Sequence, residues 1–234
     1  MSNSIAFVQF SKAPVVVHGR EHLAKTRLSP WLSRVQRARL HNQLLGKNAR
    51  LIAECARGFA NTSRAFLFLD LGRKTEVIDQ ELWKGRLGFS CHTLPLELCL
   101  QSGLDLGERL QKALHRVFAS GPFETAVLIG SDCVRLTVHH LNSLAVSCLD
   151  SSSGLGFIPV EDGGYIALAV RKERLQSYEN ALFSGISWGG DEVLEQSLGA
   201  LARIGVEPFL APPLTDIDEY ADLEDLPPLY YFSS

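Results

Sequence analysis

Two kinds of charged residue cluster in this chain where chemistry could use them. "VLIGSDC" (residues 127–133) is an apolar run that stops at Asp132 after a Gly-Ser pair. Open parallel sheets take ligands outside the carboxyl ends of their strands, so Asp132 is placed to project into such a crevice. There a carboxylate can cap a helix, accept a hydrogen bond or hold a metal ion. "LAKTRLSP" sets Lys25 and Arg27 two residues apart, and Lys12 and Gly19 precede them. Gathered cations suit a polyphosphate, since guanidinium grips phosphate oxygens as a fork and ammonium adds a point charge. A solvated basic loop would read the same way.

Three further stretches carry candidates. In "EDGGYIALAV", Glu161 and Asp162 precede Gly163 and Gly164, which let a backbone approach a ligand closely. Asp-Gly is equally a hairpin-turn signal. A carboxylate at Asp162 could act as general base on an acceptor. In "LTDIDEYADLEDL", Asp216 and Asp218 alternate, so Asp218 could join Asp132 at a magnesium ion, which favours one or two carboxylates with phosphate oxygens and water. In "QSGLDLGERL", Gln101 and Gly103 could face a nucleobase, while Asp105 and Glu108 have the spacing of a helix cap. Trp188 is either core or pocket wall. The seven histidines show no metal-ligand spacing.

The framework beneath these residues alternates between strand and helix. Strands are expected at 4–10, 64–70, 87–94, 124–129, 154–160 and 164–170, with a last extended run near 205–214. Helices are expected at about 35–59, after Asp105, after Thr137, and near 173–182 and 191–203, each from its apolar periodicity or capping residue. This alternation predicts an α/β fold, with a mostly parallel sheet covered on both faces and an antiparallel member where the two late strands are split only by "EDG".

Composition bounds the rest. The chain has 234 residues, 46% of them hydrophobic, which suits a single domain spanning 1–234. The net charge of −3 is mixed along the chain and argues against a nucleic-acid surface. Five cysteines without a CxxC pair fit a reducing, cytoplasmic setting better than a disulfide framework. "MSNSIAFVQF" does not read as a signal peptide, and no apolar run is long enough to span a membrane.

Seven short motifs occur in order: "KAP" at Lys12, "KTRL" at Lys25, "DLGER" at Asp105, "GSDC" at Asp132, "EDGGY" at Glu161, "SW" at Trp188 and "DID" at Asp216. In this order the chain resembles the bacterial transferases found beside radical-SAM and selenodomain proteins, a branch of the GT-A-like nucleotide-diphospho-sugar transferase superfamily. Val134 stands where that family usually has proline. The resemblance implies a three-layer α/β/α sandwich and a magnesium or manganese ion at Asp132, assisted by Asp218. It also implies a nucleotide or nucleotide sugar whose phosphates meet Lys12, Lys25 and Arg27. The reaction expected is nucleotidyl transfer to a small acceptor, or glycosyl transfer, with Lys25 and Asp162 catalytic and Glu161, Gly163, Gly164 and Trp188 about the acceptor. A non-catalytic nucleotide-binding or scaffold protein of the same fold is the alternative.

Overall fold

The computed structural model describes residues 4–13, 25–59, 62–71 and 96–215. Gly19, Asp216, Asp218 and the strand expected at 87–94 lie outside the described residues.

Among the described residues seven strands form one sheet: β1 (Ile5–Lys12), β2 (Arg64–Asp70), β3 (Leu96–Leu100), β4 (Thr125–Ile129), β5 (Leu155–Pro159), β6 (Tyr165–Arg171) and β7 (Phe209–Leu210). Their order is β3-β2-β1-β4-β6-β5-β7. Every pairing is parallel except those of β6, which runs against both β4 and β5. The short "EDG" connection forces this, because only antiparallel neighbours can be joined by so tight a turn. β3 was not expected from the sequence; "LELCL" is short, and Glu97 interrupts its apolar run.

Among the described residues five helices cover the sheet: α1 (Arg34–Gly58), α2 (Leu106–Ser120), α3 (Val138–Asp150), α4 (Lys172–Phe183) and α5 (Val193–Arg203). The starts of α1, α2 and α3 are written in capping residues. Ser33 and Gln36 close a reciprocal box at α1, and the Thr137 hydroxyl accepts from the His140 N–H at α3. Asp105 Oδ1 accepts from the Glu108 N–H at 2.8 Å, but Glu108 reaches back to the Leu104 N–H, one residue beyond the expected box.

The layers follow from strand alternation. Ile5, Phe7, Leu67, Leu69, Val127 and Ile129 face α1 and α3 in one core. Ala6, Val8, Phe10, Phe66, Phe68 and Leu128 face α2, α4 and α5 in the other. Strands buried on both faces need nearly unbroken apolar runs, which is what "IAFVQF" and "AFLFL" supply. Each fully buried Leu or Phe in these cores contributes about 1.5–3 kcal/mol. The parallel register sets Lys12 opposite Asp70, Leu69 opposite Leu100 and Gln9 opposite Ile129. The loops after β1, β2, β3 and β4 therefore leave from one edge of the sheet, and reversed β6 brings residues 162–165 to the same edge.

Candidate functional site

At that edge lies a crevice of about 510 Å³. Lys12, Lys25, Arg27 and Asp132 line it together with Gln101, Asp162, Gly164 and Trp188. The topology thus gathers residues up to 176 positions apart (12 to 188).

Asp132 and Lys25 are joined directly. Lys25 Nζ stands 3.0 Å from Asp132 Oδ1, and the Ser131 hydroxyl donates to the same oxygen at 3.2 Å. Lys25 is held to this task by its backbone: at φ 47°, ψ 51°, it is the one described non-glycine residue with positive φ. The left-handed conformation costs an ordinary residue about 1–2 kcal/mol, so the surrounding contacts must hold it there. The lysine side chain is only 4% exposed, whereas Asp132, though set deep among protein atoms, keeps 41% of its side-chain surface open. Burial pushes the Asp132 carboxyl up, but Lys25, His41 and the Ser131 hydroxyl together outweigh it and hold its pKa below the usual carboxylate value. Asp132 is therefore an anion with both named contacts on Oδ1. A hard carboxylate oxygen facing open space fits magnesium completed by phosphate and water. Among the described residues no group of three or more His, Cys, Asp or Glu is placed to hold a metal.

His41 was missed from the sequence. It projects from α1 into the crevice wall, 4% exposed, with Nε2 3.1 Å from the Lys12 carbonyl. A carbonyl only accepts, so Nε2 carries the proton. Burial lowers its pKa, with the Lys25 and Lys12 charges acting in the same direction and Asp132 and the Lys12 carbonyl opposing. A signal was present: His41 lies three residues after Ala38 and four before Leu45, on the buried face of an otherwise apolar stripe.

The base-side candidates divide. Gln101 lines the crevice, but its amide nitrogen already donates to Ser11 O (2.9 Å) and Phe68 O (3.1 Å), tying β3 to its neighbours. Gly103 accepts at its carbonyl from Arg109 Nε, 3.3 Å away. With φ 151° and a Cβ position only 2.8 Å from Arg109 N, it is fixed by close packing on α2. Arg109, from "DLGER", pairs with Asp70 at 2.9 Å, and both line the crevice. Gly107 of the same motif admits α4 and Trp188, because a Cβ there would strike the Phe183 carbonyl oxygen and approach Trp188 Nε1 to 2.8 Å.

"EDGG" is the turn between β5 and β6. Val160 N–H donates to Gly164 O, Gly163 N–H to Val160 O, and Gly164 N–H to Asp162 Oδ1 at 3.1 Å. Asp162 is exposed and lines the crevice; Glu161 is exposed and does not. Gly163, at φ 90°, is required by the start of α5, since a Cβ would collide with the Asp191 carbonyl oxygen. Trp188 is both core and wall: it packs on the α2, α4 and α5 layer and faces the crevice. Arg27 Nη2 donates to Gly189 O at 3.2 Å, closing the basic loop over the Trp188 segment.

Residues 51–190 match a family described as "Uncharacterized protein conserved in bacteria (DUF2064)". The chain belongs to that family. No curated protein matches it. Among solved structures, the DUF2064 chain is similar to a "putative nucleotide-diphospho-sugar transferase" from Desulfovibrio desulfuricans G20, with 22% identity, 99% of this chain and 90% of that chain covered, and a TM-score of 0.76. It is also similar to a nucleotidyl transferase from Methanothermobacter thermautotroptrophicus (12% identity, 97% and 98% covered, TM-score 0.56). A third is the 4-diphosphocytidyl-2C-methyl-D-erythritol synthase from Anaerococcus prevotii (9%, 95% and 94%, TM-score 0.55). At these identities the likeness establishes the fold, which is GT-A-like.

The DUF2064 match takes in "DLGER", "GSDC", "EDGGY" and Trp188, and leaves the loop of Lys25 and Arg27 outside it. Among the described residues of this DUF2064 chain no helix is long and apolar enough to cross a membrane. Cys55, Cys99, Cys133 and Cys148 are buried free thiols; Cys91 lies outside the described residues.

Proposed function

We propose that this crevice binds a nucleotide with magnesium or manganese and that the protein is a nucleotidyltransferase acting on a small, phosphorylated acceptor. The observation that carries this reading is the Lys25–Asp132 contact at the carboxyl edge of a parallel sheet. An ammonium and an open carboxylate at one point suit a polyphosphate and its counter-cation. Lys12, Lys25 and Arg27 would hold the phosphates, and Lys25 would stabilise charge on the transferring phosphoryl group. Gln101 would meet the base only through groups its two backbone bonds leave over. Asp132 would hold the metal with Asp218. In support, Cys133 Sγ reaches Thr215 O at 3.4 Å, so the chain three residues short of Asp218 runs beside the Asp132 loop. The bound metal would neutralise phosphate charge.

In the reaction an acceptor oxygen attacks the α-phosphorus of a nucleoside triphosphate, the bond to the bridging oxygen breaks, and pyrophosphate leaves. Where the acceptor attacks through a hydroxyl, Asp162 takes its proton. Glu161, Gly163 and Gly164 contribute the turn that presents Asp162, and Trp188 the facing wall. The basic loop favours this over glycosyl transfer from a nucleotide sugar. The order of the seven motifs supports the branch found beside radical-SAM and selenodomain proteins, and a reducing cytoplasm suits the free thiols.

A thermal-shift screen of nucleoside triphosphates and nucleotide sugars, with and without magnesium, tests the reading. Ligand at 100 times its dissociation constant adds about 2.7 kcal/mol. Asp132→Asn is expected to fold but to lose the magnesium-dependent part of the shift, with a lower unliganded melting temperature because the buried Lys25 ammonium loses its carboxylate. Equal magnesium-dependent shifts in both proteins refute the metal role. A parent that binds nucleotide but turns over no acceptor from a broad panel points to a binding module.

A further inference from the structure

Asp132 sits in the segment between the end of β4 and the start of α3. At one end Gly130 N–H is tied to Ile166 O at 3.0 Å; at the other, Thr137 O takes the Leu141 N–H. Between those ties the backbone oxygens turn to α1. Lys47 Nζ donates to Val134 O at 2.7 Å and to Leu136 O at 2.6 Å. Asn48 Nδ2 donates to Ser131 O at 3.0 Å and, more weakly, to Cys133 O at 3.4 Å. Two consecutive residues of one helix thus grip four carbonyls in a six-residue stretch, two of them flanking Asp132. Asn48 is fully buried and Lys47 partly so. Neither side chain lines the crevice, so neither is placed to touch a ligand there. The helix itself is fixed to the central strand, since Gln9 Nε2 of β1 donates to Leu45 O at 3.3 Å.

We propose that Lys47 and Asn48 are positioning residues for Asp132, with α1 serving as the rigid brace that aims its carboxylate at the cation. The chemistry of the donors favours this over generic packing. An apolar residue at 47 would fill the same space, but an ammonium supplies two charge-assisted bonds to carbonyls two residues apart and so fixes the path of the chain between them. Val134 belongs to this arrangement: with its carbonyl on Lys47 and its side chain against Leu28, Leu32, Leu40 and Leu44, it is clamped at both ends. Outer partners that orient a metal-binding side chain change metal affinity about 10–100-fold when removed.

The inference rests on the nucleotide reading, and the test separates the two. Each of the four nucleoside triphosphates is titrated calorimetrically at a series of magnesium concentrations into the parent, Lys47→Met, Lys47→Arg and Asn48→Ala. Expected for Lys47→Met is a rise of about tenfold or more in the magnesium needed for half-maximal binding, with metal-free affinity close to the parent's. Lys47→Arg, which keeps a charged donor, is expected to recover most of the loss. Amide hydrogen exchange is expected to rise locally in residues 130–136 of Lys47→Met. If Lys47→Met does not fold, Asn48→Ala carries the same expectation with a smaller shift. The proposal is overturned if magnesium dependence stays at the parent's value, or if metal-free and metal-linked affinity fall together. A parent that binds none of the four at any magnesium concentration overturns the nucleotide reading, and the brace with it.

Discussion

Asp162 holds a turn and stays open to the crevice, so a structural and a catalytic role can be told apart by substitution. Its Oδ1 takes the Gly164 N–H, as Asx residues do in turns, and the residue remains exposed at the crevice. The two roles separate by substitution. Asparagine keeps an amide oxygen for the Gly164 N–H but cannot accept a proton at neutral pH. Asp162→Asn is therefore expected to leave the melting temperature and magnesium–nucleotide affinity nearly unchanged while turnover on a hydroxyl acceptor drops by roughly 10²-fold. Steady-state kinetics beside calorimetry would check it, and full turnover in the variant would confine Asp162 to the turn.

At the scale of elements, the motif glycines report packing more than ligand contact. Gly163 combines φ 90° with a Cβ path blocked by the Asp191 carbonyl oxygen, and its own carbonyl takes the Leu194 N–H at 3.0 Å. It locks the β5–β6 turn against the start of α5. Gly205, just past α5, has φ 70° and nothing within 4 Å of the Cβ position. The pair isolates two costs. Gly205→Ala should cost about 1 kcal/mol for the left-handed backbone alone, and Gly163→Ala about 1–3 kcal/mol more, because backbone must move. Urea unfolding of both variants would show it, and equal losses would mean the α5 contact yields freely.

For the whole molecule, stability should bend with pH at His41. Burial holds its pKa below the ordinary imidazole value, against the attraction of Asp132 and the hydrogen bond to the Lys12 carbonyl, with the Lys25 and Lys12 charges assisting. Between that lowered value and about 6.5 the unfolded chain binds more protons than the folded one, so stability rises with pH across this window. It is complete above about pH 6.5 and lost on acidification toward the folded value. The Asp132 contribution, with its pKa also lowered, goes only at more acid pH, below the ordinary carboxylate range. His41→Gln keeps an N–H donor for the Lys12 carbonyl and does not titrate near neutrality. The variant should lose less stability than the parent between about pH 6.5 and 5, with parallel curves above 7. Denaturant melts across that range would decide it.

The layered α/β architecture, the antiparallel member at "EDG" and most helix starts were legible in the residues alone. Those are local properties: apolar period, turn chemistry and capping spacing act within a few residues. The sequence also brought Asp132, Lys25, Arg27 and Asp162 forward as chemistry-bearing residues, since each stands in a short motif. Which of them meet is set by the folded sheet. The Lys25–Asp132 contact spans 107 positions (25 to 132) and depends on β1 pairing with β4 beneath both loops. His41, Lys47 and Asn48 stayed hidden for a related reason. On a helix read alone, a polar side chain among apolar neighbours is an interruption; what it bonds is set by the carbonyls of Lys12 and of the 131–136 loop, which only the folded sheet carries to α1. Gly103 and Gly163 read as ligand approaches because a glycine records only that space or φ is needed. That the space goes to Arg109 and to the Asp191 backbone is a fact of packing.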